Sequence, residues 1–345
     1  MAEEFTRLSL LAQTAYARLV DRLLTSETGS MLEGASLVSK RIKGHTYWYV
    51  QRTEGGKKRQ TYLGRETPVI LELVERWRRA RVAAESREEL VAIARAGGVH
   101  VVTAAEAKVF GQLAPAFTMG GVLIGSHAFA VIGNLLGVRW QEAVLRTDDV
   151  DLAHDPTIAV AMTADLQPMS LPADLDAAPL FSVLDPTSPA TSFQVRGTHV
   201  QVDLLTPMLG KTSPRPVQIP ALGAAAMPIR FLDYLIEETQ PGAVVGGPGT
   251  LVNVPRPGRF ALHKLLVAGR RATATMAKAR KDRLQASALL RVLLADLPGE
   301  LTLAWKALVA RGRSWTHGVR ESVGLLEPDL VAALREHEIT RLVRR

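Results

Sequence analysis

Three short stretches constrain this chain more than anything else in it: Val122-Leu123-Ile124-Gly125-Ser126, Thr147-Asp148-Asp149-Val150-Asp151-Leu152 and Val202-Asp203-Leu204-Leu205. An apolar run ending in Gly-Ser predicts a buried strand that turns sharply into a helix. Asp149 and Asp151 stand two apart with Val150 between them, so on a strand both carboxylates share one face while Val150 points into the core. Asp203 is likewise set between Val202 and Leu204, where an unpaired charge is costly. Three carboxylates projecting together from adjacent strands repel one another unless cations sit among them, and a two-metal phosphoryl-transfer site uses that arrangement. Strand alternation turns Asp148 away from this group, into a structural or surface role. Thr147 either steadies the strand end or reaches a phosphate.

In this order, Gly125-Ser126, Asp149-x-Asp151 and Asp203 resemble the motif of the DNA polymerase β type nucleotidyltransferase superfamily. The stretches Pro228-Ile229-Arg230-Phe231-Leu232-Asp233-Tyr234-Leu235-Ile236, Pro257-Gly258-Arg259-Phe260-Ala261-Leu262-His263-Lys264 and Lys278-Ala279-Arg280-Lys281-Asp282-Arg283-Leu284-Gln285-Ala286 narrow the resemblance to a bacterial branch of uncharacterised nucleotidyltransferase-fold proteins. It covers residues 90–295. The gap between Ser126 and Asp149 is longer than in compact members, which implies a longer helix and a loop. The fold implied is α+β: a mixed sheet with flanking helices, a helical C-terminal domain and a small basic N-terminal α+β module.

The resemblance implies transfer of a nucleoside monophosphate from an NTP, ATP among them, to an acceptor hydroxyl, with pyrophosphate released. Asp149 and Asp151 would hold two Mg2+ (or Mn2+) ions. Asp203 would complete the site on the nucleophile's side and help deprotonate the attacking hydroxyl. Hard oxygen donors suit these ions, so carboxylates and not histidines are the expected ligands. Gly125 lets backbone approach a triphosphate, and Ser126 adds a hydroxyl beside the N–H groups of a helix start. His127 either reaches the same phosphates or packs. Lys264 and Arg271 lie seven apart, near one face of a helix, and are candidate phosphate contacts, with His263, Arg270, Lys278 and Lys281 close by in sequence. The bland alternative for that group is a solvated basic face. Asp282 is expected to pair locally. Arg230 pairs with Asp233 or another acidic neighbour, or touches substrate.

Composition closes other routes. The chain has no cysteine, which excludes disulfides, thiolate nucleophiles and cysteine-ligated metals. The eight histidines are scattered, without a His-x-x-x-His pair, and no P-loop pattern occurs. No apolar run approaches the ~20 residues of a spanning helix, so no membrane partner and a cytoplasmic location are expected. The net charge of +8 is segregated. Residues 40–81 carry twelve Lys/Arg against four Glu, and residues 259–283 carry eight against Asp282 alone. Segregated basic charge favours polyanions, phosphate backbones first.

Periodicity divides the chain into residues 1–98, 99–256 and 257–345. In the first, residues 1–30 predict a helix with Phe5, Leu8, Leu11, Ala15, Leu19 and Leu23 in one stripe, broken at Ser26 to Ser30. Residues 42–50 and 60–64 predict a hairpin, with Tyr47 and Tyr49 on one face and Trp48 and Val50 on the other. Helices are expected over 68–81 and 87–96, with Pro68 in a first turn. Aromatics interleaved with Lys57, Lys58, Arg59 and Arg65 suit RNA, tRNA first, or another nucleic acid; the alternative is a small sheet whose aromatics are core. Beyond Gly97-Gly98, Thr103 to Glu106 is a capping-box pattern. Strands are expected to Ile124 and over 145–152, a helix over 127–136, and a hairpin of 193–195 with 199–205. Further strands are expected at 229–236, 243–245 and 250–254. Helices over 259–271, 283–295, 301–311 and 328–343 complete the chain. The competing functional reading is a catalytically silent nucleotidyltransferase-like scaffold that binds nucleic acid or regulates; three retained carboxylates weigh against it. A toxin–antitoxin partnership is a third.

Overall fold

The computed structural model describes residues 4–25, 36–54, 57–142, 149–156, 169–180, 187–208, 210, 215–270 and 276–336. Expectations placed on Ser26 to Ser30, Thr147, Asp148 and Arg271, and on the end of the last helix, lie outside them.

The N-terminus is not one helix. Strand β1 (Phe5–Arg7) pairs antiparallel with a later strand, Phe5 opposite Trp140, and α1 (Leu10–Thr25) follows. Ser9 accepts from the Ala12 N–H at 3.2 Å and sets the helix start. Leu8, Ala12, Ala15, Tyr16, Leu19 and Leu23 form the buried stripe, while Leu11 is exposed. Then come β2 (Ser36–Ile42), β3 (His45–Glu54) and β4 (Lys57–Arg65), a three-stranded antiparallel sheet where two strands were expected. The extra strand turns at Lys43-Gly44, both at positive φ, a turn that strand periodicity does not reveal. The long helix α2 (Pro68–Ala96) replaces the two helices expected over 68–81 and 87–96, because no Gly or Pro interrupts the intervening residues.

The central core begins with α3 (Ala104–Thr118), whose reciprocal Thr103–Glu106 capping box is formed as expected. It continues through β5 (Val122–Leu123), α4 (Gly125–Leu135), β6 (Val138–Trp140) and β7 (Asp149–Ala153). Next are α5 (Leu171–Asp174), β8 (Ala177–Leu180), β9 (Ser192–Val195), β10 (Gln201–Pro207), β11 (Val217–Ile219) and β12 (Ala224–Ile229). One seven-stranded mixed sheet runs β11-β12-β10-β7-β5, with β9 and β8 branching from β10. β10 is parallel to β7 and to β12, while β5 is antiparallel to β7. Residues 229–236 are not the expected strand. The strand ends at Ile229, and α6 (Leu232–Ile236) follows a left-handed Phe231, its buried face made by Leu232, Leu235 and Ile236.

β13 (Thr239–Val244) and β14 (Thr250–Pro255) form a hairpin, and five helices close the fold: α7 (Pro257–Ala268), α8 (Met276–Asp296), α9 (Pro298–Ala310), α10 (Arg313–Val323) and α11 (Pro328–Glu336). α1 packs on the β13–β14 hairpin, where the Tyr16 hydroxyl donates to the Ala243 carbonyl at 2.9 Å and accepts from the Ala243 N–H at 3.0 Å. Arg259, 4% exposed, ties α7 to Glu237 (2.7 Å) and Glu238 (2.8 Å), and Arg311, just after α9, pairs with Asp233 and Glu237. Asp233 therefore pairs with Arg311 and not Arg230, which is exposed. Among the described residues no helix is long and apolar enough to cross a membrane.

Candidate active site

Parallel pairing of β7 with β10 sets Asp203 opposite Asp151, and Gln201 opposite Asp149. Adjacent strands lie ~4.8 Å apart, so same-face carboxylates in this register are immediate neighbours. The alternation expected from sequence holds. Val150, Leu152 and Val202 are fully buried beneath the sheet, Asp151 and Asp203 are half-buried on its other face, and Asp149 is exposed at the strand's start. The Asp151 carboxyl is pushed up to about 6, first by burial and then by repulsion from Asp203. Asp149 adds to that repulsion, while Lys264 and Lys278 oppose it. The Gln201 side-chain amide donates to Asp203 Oδ1 at 2.8 Å and orients that carboxylate.

β5 delivers the chain to the same place. The Ile124 N–H bonds the Asp151 carbonyl at 3.0 Å, and the backbone then turns at Gly125, φ 67°, into α4. A Cβ at Gly125 would overlap the Asp151 carboxylate, so only glycine lets the loop pass this close. Ser126, 8% exposed, accepts from the Gln285 amide of α8 at 3.3 Å, which links the elbow to the C-terminal helices. His127 is buried: its ring packs edge-on to Phe110, and Nε2 lies 3.5 Å from Glu106. It is a packed histidine, the second of the two roles open to it.

α7 and α8 present lysines toward the carboxylates. Lys264 donates to Asp282 Oδ1 at 2.8 Å, an ion pair in which both side chains are largely buried. Lys281 is held below the usual lysine range by burial and by Lys264, against the opposing pull of Asp282, Asp151 and Asp149. Lys264, Lys278 and Lys281 thus share the electrostatic field of the aspartates. Arg270 is directed elsewhere: its guanidinium lies over the Phe231 ring (4.7 Å) and donates to the Ser314 carbonyl at 2.6 Å. Sequence reasoning missed Gln201 and Gln285, since a glutamine in a strand or helix carries no pattern of its own.

The oxygen-only donor set, on neighbouring strands with one half-buried carboxyl pushed upward by burial and then by its neighbours, fits a divalent cation. Among the described residues no group of three or more His, Asp or Glu side chains is already gathered into a metal cage, so the fit rests on donor chemistry and register. Two cavities among the described residues lie away from the aspartates. One of about 530 Å³ is lined by Phe5, Arg291 and Leu330 among others, and one of about 220 Å³ by Arg280, Arg283 and Glu327 among others. Neither touches a carboxylate of the β7–β10 pair, and concavity without converging polar groups is the weaker guide to chemistry.

Comparison with known proteins agrees with this geometry. A family model described as a domain of unknown function (DUF6788) matches residues 8–72, from α1 through the three-stranded sheet into α2. Neither a curated protein nor a solved structure matches the chain. A second family model, described as nucleotidyltransferase, matches residues 88–310, a span that holds Gly125, Ser126, all three aspartates and Lys264. That span exceeds half of the 345 residues, and the chain belongs to this nucleotidyltransferase family.

Proposed function

We propose that the chain moves a nucleoside monophosphate from an NTP to an acceptor hydroxyl, in a reaction dependent on Mg2+ or Mn2+. The observation that carries this reading is the in-register Asp151–Asp203 pair beside the Gly125 elbow. The acceptor oxygen bonds the α-phosphorus, the bond to the bridging oxygen breaks, and pyrophosphate leaves. Asp203, held by Gln201, takes the acceptor's proton. Asp149, Asp151 and Asp203 would hold the divalent cations, which when bound neutralise the charge developing on the attacking and leaving oxygens. Gly125 admits the triphosphate to the backbone at the start of α4, and Ser126 offers it a hydroxyl. Lys264, poised on Asp282, and Lys281 balance charge at the leaving pyrophosphate; Arg271 is proposed for the same task from its sequence position. The basic stretch 40–81 makes RNA, tRNA first, the favoured acceptor.

Incubation with each α-labelled NTP, Mg2+ or Mn2+, and total RNA or a protein extract tests this directly, beside an Asp149→Ala/Asp151→Ala control. Label reaching RNA with the wild type only is expected. Label on protein alone would replace the acceptor. Absence of nucleotide and metal binding would move the reading to a silent scaffold.

A further inference from the structure

The β2–β4 sheet has two unlike faces. Leu37 and Trp48 are buried against Val74 of α2, with Val50, Leu63 and Ile70 around them. Tyr47, Tyr49 and Tyr62 stand on the opposite face. A bulge at Trp48/Tyr49 sets Tyr49 opposite Tyr62 and Tyr47 opposite Arg65, and leaves Leu63 free to join the buried side. The rings form a row, with centroids 5.6 Å apart for Tyr49–Tyr62 and 6.3 Å for Tyr47–Tyr62. Tyr62 is 57% exposed. Lys40 Nζ lies 4.8 Å from the centroid of the Tyr49 ring, and strand alternation adds Lys58 and Arg65 to the same face. By the strand register no Asp or Glu occupies any position of this face.

A core sheet would bury these rings fully; here Tyr62 is exposed and Tyr47 and Tyr49 are half-buried beside it, in a row bordered by cations with no carboxylate to repel phosphate. Bases stack on such rings while phosphates pair with the cations, and base faces are free to stack only in a single strand. Unpaired bases are the ordinary condition of RNA loops and ends. From these features we infer that the Tyr47–Tyr49–Tyr62 face binds single-stranded RNA. The inference deepens the proposed function by naming the surface that receives the RNA acceptor, but the binding itself needs neither nucleotide nor metal.

The test is fluorescence anisotropy of a labelled, unstructured RNA of about twelve nucleotides, titrated with the full chain without NTP. Expected are salt-sensitive binding, at least ~10-fold weaker binding of an RNA duplex, and single-stranded DNA of the same sequence bound no more tightly than the RNA. Tyr62→Ala should weaken RNA binding ~10-fold, and Lys58→Glu should weaken it with a shallower salt dependence. Should Tyr62→Ala fail to fold, the Lys58→Glu result decides. Binding unchanged in the folded variants, preference for duplex or DNA, or no binding by the wild type each overturns the inference and leaves nucleotidyl transfer standing. Asp151→Asn should bind RNA as the wild type does while losing transfer, so a wild type that binds RNA but transfers no nucleotide strikes the catalytic reading alone.

Discussion

The sheet that carries the aspartates and the sheet that carries the tyrosines each bury one face and display polar groups on the other, on very different foundations. Val150, Leu152 and Val202 belong to a core that runs from α3 to α11. Among the described residues, Leu37, Trp48 and Val74 make a cluster of three buried residues. Repelling carboxylates cost free energy, and a deep, over-determined core can hold them in place. A row of solvated rings and cations asks only for exposure, which a shallow sheet supplies at low local stability. On the proposed function, chemistry belongs to one region and recognition to the other, and the contrast can be broken at either end.

The largest effect is expected at Asp151. Asp151→Asn should lower nucleotide transfer by ~10³-fold or more, since a neutral amide cannot replace a metal-binding carboxylate. In chelator the same variant should melt higher than the wild type, because a half-buried charge facing Asp203 has been removed. Mg2+ should raise the melting temperature of the wild type and not of the variant. Transfer retained within ten-fold would remove Asp151 from the site.

The next effect lies in the shallow region. Trp48→Ala removes the largest side chain of the small cluster and the bond from its Nε1 to Glu66 (3.1 Å), a loss of about 3 kcal/mol. Residues 36–65 should then exchange amide hydrogens freely, while exchange in β7 and β10 stays protected. RNA binding should fall with the sheet, and transfer to a small hydroxyl acceptor should stay within two-fold. Global unfolding of the variant would show that the two regions are one cooperative unit.

Gly125→Ala acts where the deep core meets the site. A positive φ and an overlap with the Asp151 carboxylate together should cost about 2 kcal/mol, read by chemical denaturation. On the proposed function transfer should fall ~100-fold, because the displaced Asp151 carboxylate would no longer be positioned at the reacting centre. Loss of stability without loss of rate would make the elbow purely structural.

The deep region was the more legible of the two in the sequence. Val150 and Val202 flank aspartates, and period-two alternation with a Gly-Ser stop is enough to orient all three carboxylates and the elbow. What alternation cannot convey is register: that Asp203 faces Asp151, with Gln201 beside Asp149, depends on strand pairing across a long separation. For the same reason the buried Lys264–Asp282 pair could not be assembled from two helices read separately. In the shallow region Trp48 and Tyr49 were assigned to opposite faces by parity alone. The strand Ser36–Ile42 escaped because Ser39, Lys40 and Arg41 mask its alternation, and the strand at Phe5 because its partner, Trp140, lies far along the chain.

The smallest expected effect separates the two regions most finely, because each owns a threonine that caps a helix. Thr103 accepts from the Glu106 N–H at 3.2 Å while Glu106 accepts from the Thr103 N–H at 2.7 Å, a closed box on a helix whose Phe110 and Leu113 are in the main core. The Thr67 hydroxyl accepts from the Ile70 N–H at 3.3 Å, without a reciprocal box, at the end of α2 that carries the small sheet. Replacing either threonine with alanine should cost about 1 kcal/mol. For Thr103→Ala that loss should lower the global denaturation midpoint, because α3 does not open without the core. For Thr67→Ala the midpoint should hold, and the loss should surface as faster amide exchange in the first turns of α2 and in β4. Equal midpoint shifts in the two variants would mean that the tyrosine sheet is held as firmly as the aspartate sheet, and that its open face is rigid enough to position an RNA as well as to bind it.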